Sequence, residues 1–294
     1  MCGIFGFDIR DGAITNGQRA ILSSALAYLN DKRGGQSWGL LGYDQELSKL
    51  VIKRGLGEMS TNAFKMISYN RMFGHSRQAT QGANIIDNAH PFKVDRVIGA
   101  HNGVIYNHEE LNRKYNRSFA VDSMHLFAHI NEKHDFSDLR GYGSIEWWEK
   151  GDQSFKICKL NGGSLSVCVF GNEKADGVIW SSDNKHLEEA VAAAGISNAF
   201  ALNVEEGRVY SVFNNNINMT SDRLELQKLS TTSTTYNYKA PNSDIDADDM
   251  TELMKEYLMM SPPNVKEQSS VKALPESSTV KAYTDTDDSE HYYG

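Results

Sequence analysis

The amino-acid composition changes near residue 230, and this change limits how much of the chain can form a packed core. Residues 231–294 hold 12 Asp or Glu against 5 Lys, together with four of the five prolines and several Ser/Thr runs. This segment therefore carries −7 of the net charge of −8. Such a composition buries too little apolar surface to offset the entropy of the chain. We predict a folded domain over residues 2–230 and a disordered acidic tail over residues 231–294.

The remaining composition excludes several classes of protein. No run approaches the roughly 18 apolar residues of a membrane span, and the start lacks the pattern of a secretory signal, so we expect a cytoplasmic protein with no membrane partner. No Lys/Arg cluster offers a surface for nucleic acid. The three cysteines, Cys2, Cys158 and Cys168, form no CxxC pair, which argues against structural zinc and against a disulfide framework. We expect no cofactor.

The apolar periodicity predicts an α+β domain, because strands arrive in clusters with helices between the clusters. A helix is predicted over Gln18–Asn30, another over Asp122–Lys133, and a short Ala-rich helix at HLEEAVAAAG. The sequence AFALNV and the sequence GRVYSVF are predicted to form a closing hairpin through the turn EEG. The other predicted strands are IFGF, WGLLGY, KLVIK, RMFGH, RVIGA, SLSVCVF and GVIWSS.

The acidic tail contains one amphipathic stretch, at residues 249–260. Met250, Met254 and Leu258 share a narrow apolar stripe with Leu253 and Tyr257. The stretch is predicted either to dock on the folded domain or to serve as a Met-rich recognition helix for a partner. The sequence does not separate these two alternatives.

Histidine and cysteine give only weak signals of other chemistry. His125 and His129 have the i, i+4 spacing of a metal-binding pair, but no third ligand accompanies them and HEEL is not the HExxH pattern. Cys158 and Cys168 alternate with apolar neighbours, so we predict that both are buried and inert. No metal site is predicted.

Cys2 is a stronger candidate because its position has a chemical use. If Met1 is removed, Cys2 carries a free α-amine with an ordinary pKa of about 7.7–8.0, which suits a general base at neutral pH. Nucleophile and base would then belong to one residue. Taken alone, a cysteine at this position is more often a small buried side chain.

Three stretches rich in glycine or polar residues could complete such a site. FGHSRQATQG presents Arg77, which can bind a carboxylate through two hydrogen bonds. In IGAHNGVIYN a strand is predicted to break at His101-Asn102-Gly103, where an amide side chain and a backbone N–H could bind an oxyanion. Asp122 lies at a predicted helix start. The simpler interpretations are a helix cap for Asp122 and a tight turn for Asn-Gly.

Taken together, the motifs resemble those of the class II glutamine amidotransferases, whose glutaminase domain is an N-terminal-nucleophile hydrolase. The domains of glucosamine-6-phosphate synthase and asparagine synthetase look most similar. The resemblance is strongest over residues 2–125 and continues weakly to Tyr210. It rests on MCGIFGF, RGGQSWG, GHSRQATQG, NAHPF, HNGVIYNHEEL and the Asp of VDS, in the order of that family.

The resemblance implies a four-layer α-β-β-α sandwich of two antiparallel sheets and a reaction in which L-glutamine is hydrolysed through a thioester on the nucleophile. Each matching residue then takes a role. Cys2 would be the nucleophile, Asn102 and the Gly103 N–H the oxyanion hole, Arg77 and Asp122 the ligands of the substrate's α-carboxylate and α-ammonium. The other assigned residues are Thr80, for substrate binding, and Arg33 and His101, in the surroundings of the site.

The sequence also departs from the family. Gln78 and Gln81 stand where many members have Trp and His, and the SSD segment ending at Asp183 lacks a frequent Arg. No acceptor-binding domain fits in the 64 tail residues, so we expect a separate ammonia-accepting synthase chain as partner. Two other classes stay open: an amidohydrolase of the same superfamily that transfers no ammonia, and a catalytically silent scaffold of the same fold.

Overall fold

The strands and helices are known for most of the predicted domain. The computed structural model describes residues 2–44, 49–60, 69–79 and 82–227. In these residues the strands are β1 (Gly3–Ile9), β2 (Ser37–Asp44), β3 (Lys49–Leu56), β4 (Tyr69–Arg77), β5 (Phe92–Val94), β6 (Val97–Ile105), β7 (Gly141–Glu149), β8 (Phe155–Lys159), β9 (Ser166–Phe170), β10 (Gly177–Ser181), β11 (Ala199–Leu202), β12 (Arg208–Phe213) and β13 (Asn216–Arg223). The helices are α1 (Asn16–Asp31), α2 (His108–Lys114), α3 (Met124–Glu132) and α4 (Asn184–Ala193).

The strands form two antiparallel sheets that lie face to face. The first sheet has the order β11-β9-β10-β1-β4-β2-β3, and the second has the order β13-β12-β8-β7-β6-β5. Strands β1 and β4 of the first sheet contact β6 of the second. Helices α1 and α4 pack on the first sheet and α3 packs on the second. The expected four-layer α-β-β-α sandwich is therefore confirmed.

Side-chain alternation assigns the two faces of each sheet. Ile4, Phe73, Ile98 and Trp180 belong to an apolar core between the sheets, whereas Phe127 belongs to a second core between the second sheet and α3. Because successive side chains of a strand point to opposite faces, every second residue of β1, β4 and β6 must face the space between the sheets. This parity decides which side chains can meet at the end of the sandwich.

Local sequence accounts for the boundaries of the first helix. Thr15 and Gln18 form a capping box, in which the Thr15 side chain accepts the Gln18 N–H and the Gln18 side chain accepts the Thr15 N–H. Leu22, Leu26 and Leu29 are fully buried, as the apolar spacing predicts. Helix α1 packs on the outer face of the first sheet, against β1 and β4.

Most predicted elements are confirmed, but the closing hairpin is wrong. Strand β11 pairs with β9 in the first sheet, while β12 pairs with β8 and β13 in the second. The segment between β11 and β12 therefore crosses from one sheet to the other. Sequence reasoning also missed α2, β5, β7, β8 and β13. Residues 228–294 lie outside the described part of the chain, so the domain boundary, the acidic tail and the helix at 249–260 stay predictions.

Two of the cysteines lie in strands and are buried, as expected. Cys158 on β8 and Cys168 on β9 are both in the protein interior and not in disulfides. Burial raises the pKa of Cys158 to about 12 and also raises the pKa of Cys168. Neither thiol is ionised at neutral pH. Within the described ranges, no helix is long and apolar enough to cross a membrane.

A buried carboxyl group joins the two sheets. Trp180 on β10 donates a hydrogen bond from Nε1 to Glu146 Oε2 on β7, at 2.7 Å. Glu146 is fully buried, and its Oε1 has no hydrogen-bond partner among the described residues. Burial raises the pKa of Glu146 well above its usual value, and the bond from Trp180 opposes this only in part. Burial therefore favours the neutral form of Glu146 in the folded protein.

We predict that Glu146→Gln makes the folded state more stable in alkaline solution. In the unfolded chain Glu146 ionises near its ordinary pKa, so folding takes up a proton, and stability falls as the pH rises from that ordinary pKa towards the raised pKa of the folded state. The glutamine side chain of the variant cannot ionise. The free energy of unfolding of the variant should exceed that of the wild type by about 1–3 kcal/mol at pH 8, as measured by urea denaturation.

The control for this experiment is Glu173→Gln, because Glu173 is exposed. The advantage of Glu146→Gln should shrink towards pH 5 and grow towards pH 9, while the control should show no such trend. A gain of equal size at every pH would mean that packing, rather than the proton, sets the stability of this site.

Candidate active site

The nucleophile candidate lies at the start of the first strand, beside the end of β4. Cys2 directly precedes β1, and the antiparallel register of β1 with β4 pairs Gly3 with Ser76. Cys2 is therefore next to Arg77, the last residue of β4. Both residues have the parity of the inward face, shared with Ile4 and Phe73. The sheet register alone thus brings the thiol and the guanidinium to one point between the sheets.

The Cys2 thiol contacts the backbone of one residue. Sγ lies 3.3 Å from the carbonyl oxygen of Gln78, to which it donates, and 3.3 Å from the nitrogen of Gln78, which donates to it. These contacts involve only main-chain atoms of Gln78. The departure from the Trp common at this position therefore leaves the contacts of the thiol unaffected.

The surroundings of the thiol favour its protonated form. Burial raises the pKa of Cys2, the Gln78 N–H and the positive charge of Arg77 lower it, and the negative charge of Asp122 raises it. The net direction is upward. Because the thiolate is the nucleophile, attack at neutral pH requires a base that takes the proton of the thiol.

Two buried, oppositely charged side chains act electrostatically on the thiol. Arg77 and Asp122 are 2% and 3% exposed, and both act electrostatically on Cys2 and on each other. Burial lowers the pKa of Arg77, and the charges of Cys2 and Asp122 oppose this shift. Arg77 also donates from Nη1 to the carbonyl oxygen of Ala83, at 3.4 Å. The arrangement suits a small zwitterion with a carboxylate at one point and an ammonium at another.

Asp122 does not cap the helix that follows it. Its Oδ2 accepts the backbone N–H of Ile105, the last residue of β6, at 2.7 Å. Helix α3 begins at Met124, after Ser123, and no side chain caps it. The simpler interpretation of Asp122 as an N-cap is therefore wrong, and the predicted helix over Asp122–Lys133 is shorter than expected. Asp122 is instead fixed to the strand that carries Asn102.

Asn102 and Gly103 lie within β6 and not in a turn. The strand continues to Ile105, with Asn102 opposite Ser144 and Gly103 opposite Gly143, so the predicted strand break is wrong. Asn102 has the same parity as Ile98 and therefore the inward face. A Cβ atom on Gly103 would lie 2.0 Å from the carbonyl oxygen of Tyr142. Any side chain at this position would force β6 and β7 apart.

Arg33 supports the backbone of the nucleophile. Its Nε donates to the carbonyl oxygen of Cys2 at 3.2 Å, and its Nη1 lies 2.6 Å from Asp183 Oδ2. Asp183 in turn caps α4, because its Oδ1 accepts the N–H groups of Lys185 and His186. Sequence reasoning missed this role of Asp183, although the residue stands in a motif that resembles the family.

His101 contacts Ser123, the residue after Asp122, and the backbone of β7. Its Nδ1 is 2.9 Å from Ser123 Oγ and its Nε2 is 3.3 Å from the carbonyl oxygen of Tyr142. Burial lowers the pKa of His101, and the negative charge of Asp122 opposes this. A neutral ring that donates from Nε2 to the carbonyl must accept from Ser123 at Nδ1. Thr80 lies outside the described residues.

The sequence has relatives among known proteins. The chain is 30% identical to amidophosphoribosyltransferase of Archaeoglobus fulgidus over 138 residues, which are 42% of this chain and 28% of that protein. It is 30% identical to glutamine–fructose-6-phosphate aminotransferase (isomerizing) of Lactococcus lactis over 193 residues, which are 63% of this chain and 29% of that protein. The chain thus spans less than a third of the length of these relatives. No protein-family model matches it.

Solved structures show the same fold. Glutamine phosphoribosylpyrophosphate amidotransferase of B. subtilis superposes with a TM-score of 0.55 at 20% identity, over 76% of this chain and 49% of that one. A structure described as the allosteric regulatory enzyme of purine biosynthesis gives a TM-score of 0.56 at the same identity and coverage. The described domain therefore shares its fold with this glutamine amidotransferase.

The domain contains further histidines, and their contacts do not form a metal site. The Nδ1 of His129, on α3, donates a hydrogen bond to the carbonyl oxygen of His125, at 2.8 Å. Burial lowers the pKa of His125 to about 3 and that of His129 to about 4. In the part of the chain that the structure describes, no group of three His, Cys, Asp or Glu side chains is arranged to hold a metal.

Proposed function

We propose that this domain hydrolyses L-glutamine to glutamate and ammonia, with Cys2 as the nucleophile. The observation that carries the proposal is that the opposite charges of two buried side chains, Arg77 and Asp122, both act on the Cys2 thiol. Arg77 binds the α-carboxylate of glutamine and Asp122 its α-ammonium, which directs the side-chain amide towards Sγ. Thr80 completes the binding of the substrate. The relatives of the chain, which include a glutamine–fructose-6-phosphate aminotransferase, support glutamine as substrate.

The reaction begins after removal of Met1, which exposes the α-amine of Cys2. The amine takes the proton of the thiol, and Sγ attacks the amide carbon of glutamine. The amide oxygen becomes an oxyanion that accepts from the side-chain N–H of Asn102 and the backbone N–H of Gly103. When the tetrahedral intermediate collapses, the C–N bond breaks, the α-ammonium returns its proton to the leaving nitrogen, and ammonia departs.

Water completes the cycle. The γ-glutamyl thioester on Cys2 is attacked by a water molecule whose proton passes to the α-amine, and the C–S bond then breaks to release glutamate and restore the thiol. Arg33 keeps the α-amine in place, because it holds the carbonyl oxygen of the same residue. Asp183 fixes Arg33 from the opposite side.

The test combines turnover with covalent labelling. The purified chain is incubated with glutamine, and release of glutamate and ammonia is measured against asparagine as the control substrate. Intact mass spectrometry before and after addition of 6-diazo-5-oxo-norleucine then shows whether Met1 is absent and whether one adduct forms on Cys2. Retained Met1 and no adduct would remove the α-amine base and leave the silent scaffold as the better interpretation.

We further propose that the ammonia passes to an acceptor-binding synthase on another chain, and that the protein acts in the cytoplasm. The relatives are much longer than the matched region, which supports a synthase partner. The acidic segment 231–294 is the candidate docking element. Deletion of this segment should leave glutamine hydrolysis unchanged and abolish co-purification with the synthase. Capture of the same synthase by the truncated protein would refute this docking role.

A further inference from the structure

Gln36 contacts residues 77 and 79, on both sides of the residue that binds the Cys2 thiol. The sequence alone predicts no role for it. It lies between α1 and β2, and its side-chain Oε1 accepts the backbone N–H of Ala79 at 2.9 Å. Its own N–H donates to the carbonyl oxygen of Arg77 at 3.0 Å, and its carbonyl accepts the N–H of Gly57 at 2.9 Å. One residue thus binds the chain on both sides of Gln78.

These hydrogen bonds affect the position of the groups that contact the Cys2 thiol. Gln78 supplies both hydrogen bonds of Cys2 Sγ through its N–H and its carbonyl oxygen. Arg77, on one side of it, carries the guanidinium of the site, and Ala79, on the other, leads to Thr80. A shift of this segment would therefore move the thiol contacts and the guanidinium together.

Of the three hydrogen bonds of Gln36, two involve only its main chain and one involves its side chain. The main-chain bonds to Arg77 and Gly57 extend the pairing of β2 with β4 and β3, in which Ser37 lies opposite Arg77 and Leu56, and any residue except proline could make them. The bond to Ala79 requires a side chain that reaches as far as glutamine and ends in an acceptor. Only Gln and Glu meet both conditions. A neutral acceptor adds no negative charge beside a guanidinium that must bind a carboxylate.

We propose that the Gln36 side chain is a positioning residue of the glutaminase site, which holds segment 77–79 so that the Cys2 thiol and Arg77 face the substrate together. This inference rests on the proposed function for its effect on turnover. Its effect on the thiol can be measured without glutamine. Gln36 does not touch the reacting atoms and acts only through this segment.

The test uses Gln36→Met, which keeps the length of the side chain and removes the acceptor. We expect kcat/KM for glutamine to fall about tenfold, equivalent to about 1.4 kcal/mol. The rate at which iodoacetamide alkylates Cys2 should change as well, with a shifted pH profile, because the Gln78 N–H that lowers the pKa of the thiol is displaced. Gln36→Glu restores the acceptor and should recover the wild-type alkylation profile more closely than Gln36→Met.

Gln153→Met is the matched control, because Gln153 is exposed and lies between β7 and β8. If Gln36→Met does not fold, Gln36→Asn replaces it, since its amide is one methylene too short to reach Ala79. Wild-type kcat/KM and an unchanged alkylation profile in either variant would overturn the positioning role. A wild-type protein that does not hydrolyse glutamine, but whose alkylation profile responds to Gln36→Met, would refute the proposed function and retain the positioning role.

Discussion

Replacement of Cys2 by alanine should lower kcat for glutamine hydrolysis by a factor of about 10⁴ or more, since loss of a catalytic nucleophile typically costs this much or more. The methyl group of alanine cannot form the thioester, so no adduct with 6-diazo-5-oxo-norleucine should appear in the intact mass. Alanine is small enough to permit removal of Met1, and the α-amine is retained. The variant therefore tests the sulfur atom separately from the amine.

The fold should tolerate this change. Among the described residues, the hydrogen bonds of the thiol are the two sulfur contacts with Gln78, and sulfur is a weak donor and a weak acceptor. The melting temperature of Cys2→Ala should stay close to that of the wild type. Cys168→Ala serves as the matched control, because it removes a thiol that lies in β9 and takes no part in the reaction. Glutamine hydrolysis by Cys2→Ala at a rate near that of the wild type would show that the activity belongs to another residue or to a contaminant.

The sequence predicts the class of the fold because each element has a local signal. Helix α1 carries both a capping box and an apolar spacing that repeats every three or four residues, and the strands β1 and β2 consist mostly of apolar residues and glycine. Short segments such as β8 give a weaker signal. Its five residues include Lys156 and Lys159, so periodicity alone does not distinguish it from a loop.

Pairing between distant strands is harder to predict than the strands themselves. The turn EEG between β11 and β12 has the composition of a hairpin turn, yet the two strands belong to different sheets. The choice depends on which distant strand offers a free edge, β9 for one and β8 for the other, and a local pattern contains no information on this point.

The candidate site shows the same division between local and distant signals. Motifs that resemble a family gave Cys2, Arg77 and Asp122, and the structure brings these three side chains together. Gln36 and Asp183 act through hydrogen bonds to residues far along the chain, Ala79 and Arg33. Their partners become visible only when the strand register is known, since the type of a residue does not reveal its contacts.

Replacement of Asn102 by alanine should lower kcat by about 10²–10³, or about 2.7–4 kcal/mol in the barrier, which is the usual cost of one oxyanion-hole donor. The neutral carbonyl of bound glutamine gains little from this donor, whereas the tetrahedral oxyanion gains much. KM should therefore change far less than kcat. A variant at Arg77 should show the opposite pattern, because the α-carboxylate carries its full charge in the bound substrate as well as in the transition state.

Gly103 explains why some activity should survive in Asn102→Ala. The backbone N–H of Gly103 is the second proposed donor, and a substitution at Asn102 does not remove it. Asn218→Ala is the control, because Asn218 is an exposed asparagine on the edge strand β13. Steady-state kinetics and the rate of Cys2 alkylation should be measured on both variants. If KM rises while kcat stays constant in Asn102→Ala, Asn102 binds the ground state of the substrate and the oxyanion must be stabilised by other groups. If kcat falls and alkylation is unchanged, the loss lies in the transition state and not in the thiol.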